Sequence, residues 1–324
     1  MYAFPTLLSR IESEVKALQF DCPPKSLYTP IEYTLSLGGK RIRPALTLLA
    51  CNIYSETVDQ AITTALGFEV FHNFTLLHDD LMDKADMRRK QPTVHKVWND
   101  NAAILSGDAM MIASYQLIAQ SQPAKLKEIL DLFTQTALEL CSGQQYDMEF
   151  ESRNDVTETE YLEMIRLKTA VLLAACLKAG ALIGGASAED ASNLYEFGIN
   201  IGLSFQLQDD LLDVYGDPAT FGKNIGGDIL CNKKTFLLIH ALDTAPAPLK
   251  QTFETWMQRD EYDPTEKIAF FTSSYDTLQI KELTIDRINQ YYELAMQNLN
   301  NLSIEPARLS ELKILAAQLM NRTV

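Results

Sequence analysis

The sequence predicts an all-α protein, a large single-domain helical bundle over residues 1–324 with a central active-site cavity, and three observations lead there. Apolar residues recur at helical spacing along most of the chain, and clear strand alternation is absent. Hydrophobic residues make up 47% of the 324 residues while Gly and Pro number only 14 and 12, which favours long elements around a sizeable core. No Pro/Gly/Ser-rich linker or low-complexity run interrupts the chain, which argues for one domain. Bundles of this kind build metal and ligand sites from inward-facing side chains of facing helices.

In chain order the periodicity places helices at residues 4–19, 27–37, 42–53, 57–84, 100–119, 123–151, 158–186, 188–216, 230–242, 247–258, 274–301 and 306–321. Gly38-Gly39 can end one helix, and Pro44 suits the first turn of the next. Asp217-Pro218, Gly222 and Gly226-Gly227 make residues 217–235 the most turn-rich stretch, which reads as a loop and as a candidate mobile lid. The longest apolar run, Thr169 to Ala188, is broken by Lys178 and rich in small residues, so it reads as a buried helix and no transmembrane segment is expected.

A net charge of −15 argues against a nucleic-acid partner. Cys22, Cys51, Cys141, Cys176 and Cys231 form no Cys-x-x-Cys pair and leave an odd count, as in a reduced setting. The opening Met1-Tyr2-Ala3-Phe4-Pro5 lacks the basic-then-apolar layout of a signal peptide, so a cytoplasmic location is expected.

The chemistry is concentrated in two repeats of one pattern. In Leu76-Leu77-His78-Asp79-Asp80-Leu81-Met82-Asp83 the three aspartates share an arc about 100° wide on a helix. An acidic surface cap explains one such cluster as well as a site does. The same spacing recurs in Phe205-Gln206-Leu207-Gln208-Asp209-Asp210-Leu211-Leu212-Asp213, again in an apolar run. Two such arcs facing each other across a bundle would make a cage for hard divalent cations, and Mg²⁺, which completes its shell with water and phosphate oxygens, suits it. The alternating pattern of a calcium loop is absent.

Cations accompany both clusters. Lys40, Arg41 and Arg43 crowd a helix start, where they oppose the macrodipole; a bound anion would resolve the conflict, and a basic surface loop explains the spacing equally well. Lys84, Arg88, Arg89, Lys90 and Lys96, with His95 among them, follow the first Asp cluster, and paired arginines offer forks matched to phosphate oxygens. A plain salt-bridge network of Asp86 or Asp83 with the arginines would explain part of this charge. His72 lies seven residues before Asp79 and so shares its stripe, though a lone His in an apolar helix is more often a satisfied core residue. Lys168-Thr169 sits mid-helix, where an unpaired lysine is costly, and Gly222-Lys223 and Asn232-Lys233-Lys234-Thr235 follow the second cluster.

In order, Gly38-Gly39-Lys40-x-x-Arg43-Pro44, Asp79-Asp80-x-x-Asp83, Arg88-Arg89, Pro92-Thr93-x-His95, Gly107-Asp108, Lys168-Thr169, Phe205-Gln206-x-x-Asp209-Asp210-x-x-Asp213, Gly222-Lys223 and Lys233-Lys234-Thr235 resemble the trans-isoprenyl diphosphate synthases. That all-α polyprenyl synthetase family includes farnesyl and geranylgeranyl diphosphate synthases, and the resemblance covers all but the last seventy or so residues. It implies a Mg-dependent prenyltransferase of isoprenoid biosynthesis. Such an enzyme condenses isopentenyl diphosphate with an allylic diphosphate, head to tail, and releases diphosphate. About three Mg²⁺ ions would sit on Asp79, Asp80, Asp83, Asp209, Asp210 and Asp213. Arg88, Lys168, Lys223 and Lys233 would grip the allylic diphosphate; Lys40, Arg43, His72 and Arg89 would bind isopentenyl diphosphate; Thr169 and Gln206 would lie beside the developing cation. A homodimer, with residues 100–119 at its interface, is the family's arrangement.

The family pattern also makes Thr75 and Phe74, four and five positions before the Asp motif, the floor of the product pocket, and implies a farnesyl or geranylgeranyl product. Met111 and Tyr115 on the next helix are candidates for a second barrier. Lys90 stands where glycine usually follows the arginine pair, Asn99 replaces a common glycine, and Cys231-Asn232 replaces an acidic-Gly pair. Two competing readings are a class I terpene cyclase, which needs no second diphosphate site, and a non-catalytic helical subunit of a heteromeric synthase, which would lack one Asp cluster.

Overall fold

The computed structural model describes residues 1–217 and 225–320. Sixteen helices carry almost all of the regular structure among them. These are α1 (Phe4–Ala17), α2 (Lys25–Ser36), α3 (Ile42–Tyr54), α4 (Ile62–Met82), α5 (Val94–Val97), α6 (Asp100–Ile118), α7 (Leu126–Ser152) and α8 (Glu158–Ile165). They continue with α9 (Val171–Gly184), α10 (Ala188–Tyr215), α11 (Gly227–Leu230), α12 (Phe236–Thr244), α13 (Ala247–Gln258), α14 (Pro264–Thr277), α15 (Ile280–Asn300) and α16 (Ser310–Met320). The strands among the described residues are β1 (Met87–Arg88) and β2 (Gln91–Pro92), an antiparallel pair with Arg88 opposite Gln91.

The chain forms two compact units. One comprises Met1–Gln135, Ala175–Tyr195 and Leu302–Glu311. Its centre is α3, where every residue from Pro44 to Ile53 is buried, so the helix reads apolar on all sides rather than along one stripe. Phe68, Phe71 and Leu77 of α4 extend that core, and α1 adds Leu7, Ile11 and Val15 at helical spacing. The Asn99 side chain accepts the backbone N–H of Ala102 at 2.9 Å, so this departure from glycine serves as the N-cap of α6.

The other unit comprises Thr136–Ala174, Glu196–Asn301 and the described residues from Leu312. Phe253, Phe271 and Tyr275 pack ring to ring in its core, with centroids 5.0 Å apart for the first pair. The run Glu158–Gly184 is long and apolar enough by composition to cross a membrane, yet 78% of its most apolar window is buried, as expected of a core helix.

Four expectations are corrected. The helix expected over 57–84 opens with a separate 3₁₀ turn, Val58–Ala61, before α4. The helix expected at 230–242 is a single turn, α11, followed by α12, which starts where the Thr235 hydroxyl caps it by accepting the N–H of Leu238. The single helix expected over 274–301 is two, because Gln279 adopts φ 56°, a left-handed break for which no glycine gave notice. The helix α14 was missed although Asp263-Pro264-Thr265-Glu266 spells a start: the Asp263 carboxylate accepts from Thr265 N at 2.7 Å and Glu266 N at 3.2 Å. Gly222, Lys223 and the rest of residues 218–224 of the expected lid lie outside the described residues.

Candidate active site

In the first unit, α4 ends in the Asp79-Asp80-Leu81-Met82-Asp83 run, with Asp80 buried and Asp83 exposed as the C-cap. The hairpin β1–β2 turns back over this end. Its two turn residues, Arg89 and Lys90, have φ of 52° and 65°, the type I′ geometry that matches strand twist. A left-handed residue there explains the usual glycine, and Lys90 adopts it at a cost of about 1 kcal/mol. The hairpin delivers Arg88 to the carboxylates: its Nε donates to Asp80 Oδ2 at 2.7 Å, and its Nη2 lies 3.7 Å from Asp79 Oδ2. Of the salt bridges weighed as the plainer alternative, Asp86 pairs with Lys96 at 2.7 Å rather than with an arginine, and Arg88 pairs with Asp80 of the motif itself. Burial pushes the Asp80 carboxyl up from its ordinary range against the pull of Arg88.

Arg89 points the other way and donates to the Gly38 carbonyl. A Cβ on Gly39 would fall 2.6 Å from the Arg89 guanidinium, so glycine is the residue that lets the two approach. Arg43, on α3, donates from Nη1 to His72 Nε2 at 3.1 Å. A guanidinium has only donors, so Nε2 accepts and the proton of the neutral ring sits on Nδ1. His72 is held neutral: burial, then Arg43, Arg89, Arg88 and Arg41, push its pKa well below 6.5. Arg43 Nε is buried with no hydrogen-bond partner. Lys40 is exposed on the loop before α3. Behind them the buried Arg41 guanidinium pairs with the buried Glu69 carboxylate, which also accepts from Asn73 Nδ2 at 2.8 Å. Sequence reasoning noted Arg41 and missed Glu69, whose signal was a lone acid on the core face of α4.

Below the motif, Phe74 is buried between Phe71 and His78, with ring centroids 5.5 and 4.8 Å away, and Thr75 donates to the His72 carbonyl at 2.8 Å. Tyr115 packs edge-on against Phe133 at 4.9 Å, and Phe133 also meets Phe71 at 5.1 Å. Phe133 went unnoticed in the sequence because one more Phe in an apolar helix carries no mark.

In the second unit, Asp147, Tyr161, Lys168, Thr169, Gln206, Asp210 and Lys233 line one small crevice of about 60 Å³. Between α8 and α9 the helix widens into a π turn over Arg166–Ala170, which contains Lys168 and Thr169. A Cβ on Gly143 of α7 would lie 2.4 Å from the Lys168 backbone nitrogen, so α7 reaches the π turn only with glycine there. Lys168 Nζ donates to Asp147 Oδ2 at 2.6 Å, which accounts for a lysine in apolar surroundings; Asp147 was missed from sequence. Thr169 Oγ1 donates to Gln206 Oε1 at 3.2 Å, and Gln206 Nε2 donates to Asp210 Oδ1 at 3.0 Å, so the chain of bonds fixes which way the amide faces. The Tyr161 hydroxyl donates to the other Asp210 oxygen. Burial, with Asp228 adding to it, pushes the Asp210 carboxyl up to about 7, while Lys233, Tyr161 and Gln206 hold it down. Asp213 Oδ2 accepts the Asp228 backbone N–H at 2.9 Å. Lys233 stays charged: burial opposes its charge, and Asp228, Asp210, Asp147 and Asp209 together outweigh it.

Residues 24–273 match the model of the family described as Polyprenyl synthetase. The chain belongs to the polyprenyl synthetase family. It is 40% identical over 237 residues to the geranylgeranyl diphosphate synthase of Methanosarcina mazei, covering 72% of this chain and 73% of that protein. It is 40% identical over 226 residues to the short chain isoprenyl diphosphate synthase of Methanothermobacter thermautotrophicus, covering 69% and 70% of the two chains. A crystal structure of a geranylgeranyl pyrophosphate synthase superposes over 100% of both chains with TM-score 0.94 at 41% identity. As a polyprenyl synthetase the chain is a prenyltransferase of isoprenoid biosynthesis with the all-α fold of its relatives, and its family uses a divalent metal.

The residues of this polyprenyl synthetase fit such an ion. Among the described residues no three metal-ligating side chains enclose a metal by themselves. An ion here would therefore take further oxygens from substrate and water, as Mg²⁺ does. Asp80 Oδ1 is buried and accepts no hydrogen bond, an oxygen in want of a cation.

Proposed function

We propose that the chain condenses isopentenyl diphosphate with an allylic diphosphate, head to tail, to give a short-chain trans-prenyl diphosphate, farnesyl or geranylgeranyl diphosphate, and diphosphate. The observation that carries this reading is the crevice in which Lys168, Thr169, Gln206, Asp210 and Lys233, five residues singled out from sequence, stand together. About three Mg²⁺ ions held on Asp79, Asp80, Asp83, Asp209, Asp210 and Asp213 would neutralise charge on the leaving diphosphate.

The chain's own residues supply the rest. Arg88, Lys168, Lys223 and Lys233 bind the allylic diphosphate and stabilise its departure, so the C–O bond ionises without a protein nucleophile. The oxygens of Thr169 and Gln206, oriented by their bonds to each other and to Asp210, lower the energy of the allylic cation beside them. Lys40, Arg43, His72 and Arg89 hold isopentenyl diphosphate by its phosphates. Neutral His72 donates from a nitrogen while adding no charge to a pocket already rich in guanidinium. The double bond of isopentenyl diphosphate attacks the cation, and the released diphosphate accepts the proton that is lost. Phe74 and Thr75 set the length of the product. The enzyme works as a cytoplasmic homodimer.

A class I cyclase has no use for a second diphosphate site such as Arg43, His72 and Arg89 offer, and a silent subunit has none for two intact carboxylate sets. Mass analysis of products from the purified chain, given Mg²⁺, isopentenyl diphosphate and dimethylallyl, geranyl or farnesyl diphosphate in turn, tests the reading. Farnesyl or geranylgeranyl diphosphate is expected; hydrocarbons, hexaprenyl or longer products, or no turnover by the single chain would overturn it.

A further inference from the structure

The loop that carries Lys233 is built on a buried charge. Lys267 of α14 is fully buried, and burial pulls its ammonium below the usual lysine range. Its Nζ donates to Asn232 Oδ1 at 2.8 Å and to the Leu230 carbonyl at 3.3 Å, and it stands 4.3 Å from the centre of the Tyr262 ring. The Tyr262 hydroxyl donates to the same Leu230 carbonyl at 3.1 Å.

Asn232 is the other half of the arrangement. Its φ is 53°, a left-handed backbone that favours glycine, and the family pattern has glycine at this position. Every polar group of Asn232 is engaged. Nδ2 donates to the Met257 carbonyl at 3.0 Å, its N–H donates to Ile229 O at 3.2 Å, and its carbonyl accepts from Lys234 Nζ at 3.1 Å. A methionine or leucine in place of Lys267 would fill similar space without the desolvation cost of a buried ammonium. The charge therefore fixes the two oxygens it touches, which belong to Leu230 and to Asn232, the residue just before Lys233, whose N–H returns to Asp228 O at 2.9 Å.

We propose that Lys267 is a positioning residue for Lys233: through Asn232 and Leu230 it holds the lysine loop so that the Lys233 ammonium presents itself to the allylic diphosphate. The proposal rests on the assignment of Lys233 to that diphosphate. In this chain the Asn232–Lys267 contact does by side-chain bonding what a bare glycine turn leaves to the backbone.

Steady-state kinetics of the full chain with Mg²⁺ and both substrates test it. Lys267→Met is expected to raise KM for the allylic diphosphate about tenfold, the worth of one charge-assisted hydrogen bond, with KM for isopentenyl diphosphate within about twofold. In Lys233→Ala, adding Lys267→Met should change the allylic KM no further, because one acts through the other. Asn232→Gly keeps the left-handed backbone and removes the Oδ1 acceptor together with the Nδ2–Met257 bond, so it should raise the allylic KM selectively even if Lys267→Met fails to fold. An unchanged allylic KM in Asn232→Gly and Lys267→Met, or an equal rise for both substrates, overturns the positioning role while a response to Lys233→Ala leaves the Lys233 assignment standing. A Lys233→Ala variant with unaltered allylic KM sinks both.

Discussion

Asp79, Asp80 and Asp83 lie at the C-terminal end of α4, and Asp209, Asp210 and Asp213 lie in the last two turns of α10. Both sets therefore meet the negative end of a helix dipole, where carboxylates are disfavoured. The two are compensated differently. The first is answered by a guanidinium that a two-residue hairpin turn brings back onto it, as Arg88 with Asp80 at 2.7 Å. Among the described residues the second is answered by Lys233 and by neutral donors, the Tyr161 hydroxyl and the Gln206 amide to Asp210 and the Asp228 backbone N–H to Asp213. One spacing thus yields a set paired to a guanidinium and a set in which Asp210 is hydrogen-bonded and its carboxyl pKa is raised. Its lesson is that a motif fixes which groups are present, and the surrounding elements fix their charge.

The strongest way to break the comparison is to remove a carboxylate from each set. Asp80→Ala and Asp210→Ala are each expected to lower kcat by about 10³, the scale of losing a main electrostatic stabiliser of the leaving group. A loss confined to one of them in single-turnover assays would show that only one set serves the reaction.

Gly143→Ala sharpens the second region. The added Cβ meets the Lys168 backbone at 2.4 Å, and helix against helix has no flexible end to yield. A stability loss of about 1–3 kcal/mol in urea unfolding is expected, with weaker binding of the allylic diphosphate as Lys168 and Thr169 shift. Phe74→Ala does the corresponding test in the first region: it opens the space between Phe71 and His78, and products one or more isoprene units longer are expected by mass analysis.

The smallest effect concerns His72. Its folded pKa is depressed below the unfolded value of 6.5, so below that pH the unfolded chain binds a proton that the folded chain does not. Stability contributed by neutral His72 is present above pH 6.5 and falls as the pH drops through it. The fall in Tm between pH 7.5 and pH 5.5 is expected to be smaller for His72→Gln than for the parent chain; an equal fall would refute the assignment.

The legible parts were those whose signal is local. The aspartate spacing, the Lys168-Thr169 pair and Arg88-Arg89 are dense polar runs in apolar helices, and they stand out without any knowledge of the fold. Asp147, Glu69 and Phe133 were illegible for the opposite reason. Each is an ordinary residue in its own helix, and what makes it matter is a partner far along the chain: Lys168, Arg41 and Tyr115. The hairpin of residues 87–92 escaped notice because its turn residues, Arg89 and Lys90, are not the Asn-Gly type that marks such turns.

The sequence alone determined the all-α class, most helix positions and the identity of the carboxylates and cations, because periodicity and spacing are properties of a chain before it folds. Only the tertiary structure decided which groups carry charge. Asp210 is pushed up to about 7 and His72 is kept neutral by burial and by neighbours that approach from elements distant in sequence, and a pKa is set by distance and desolvation rather than by order along the chain.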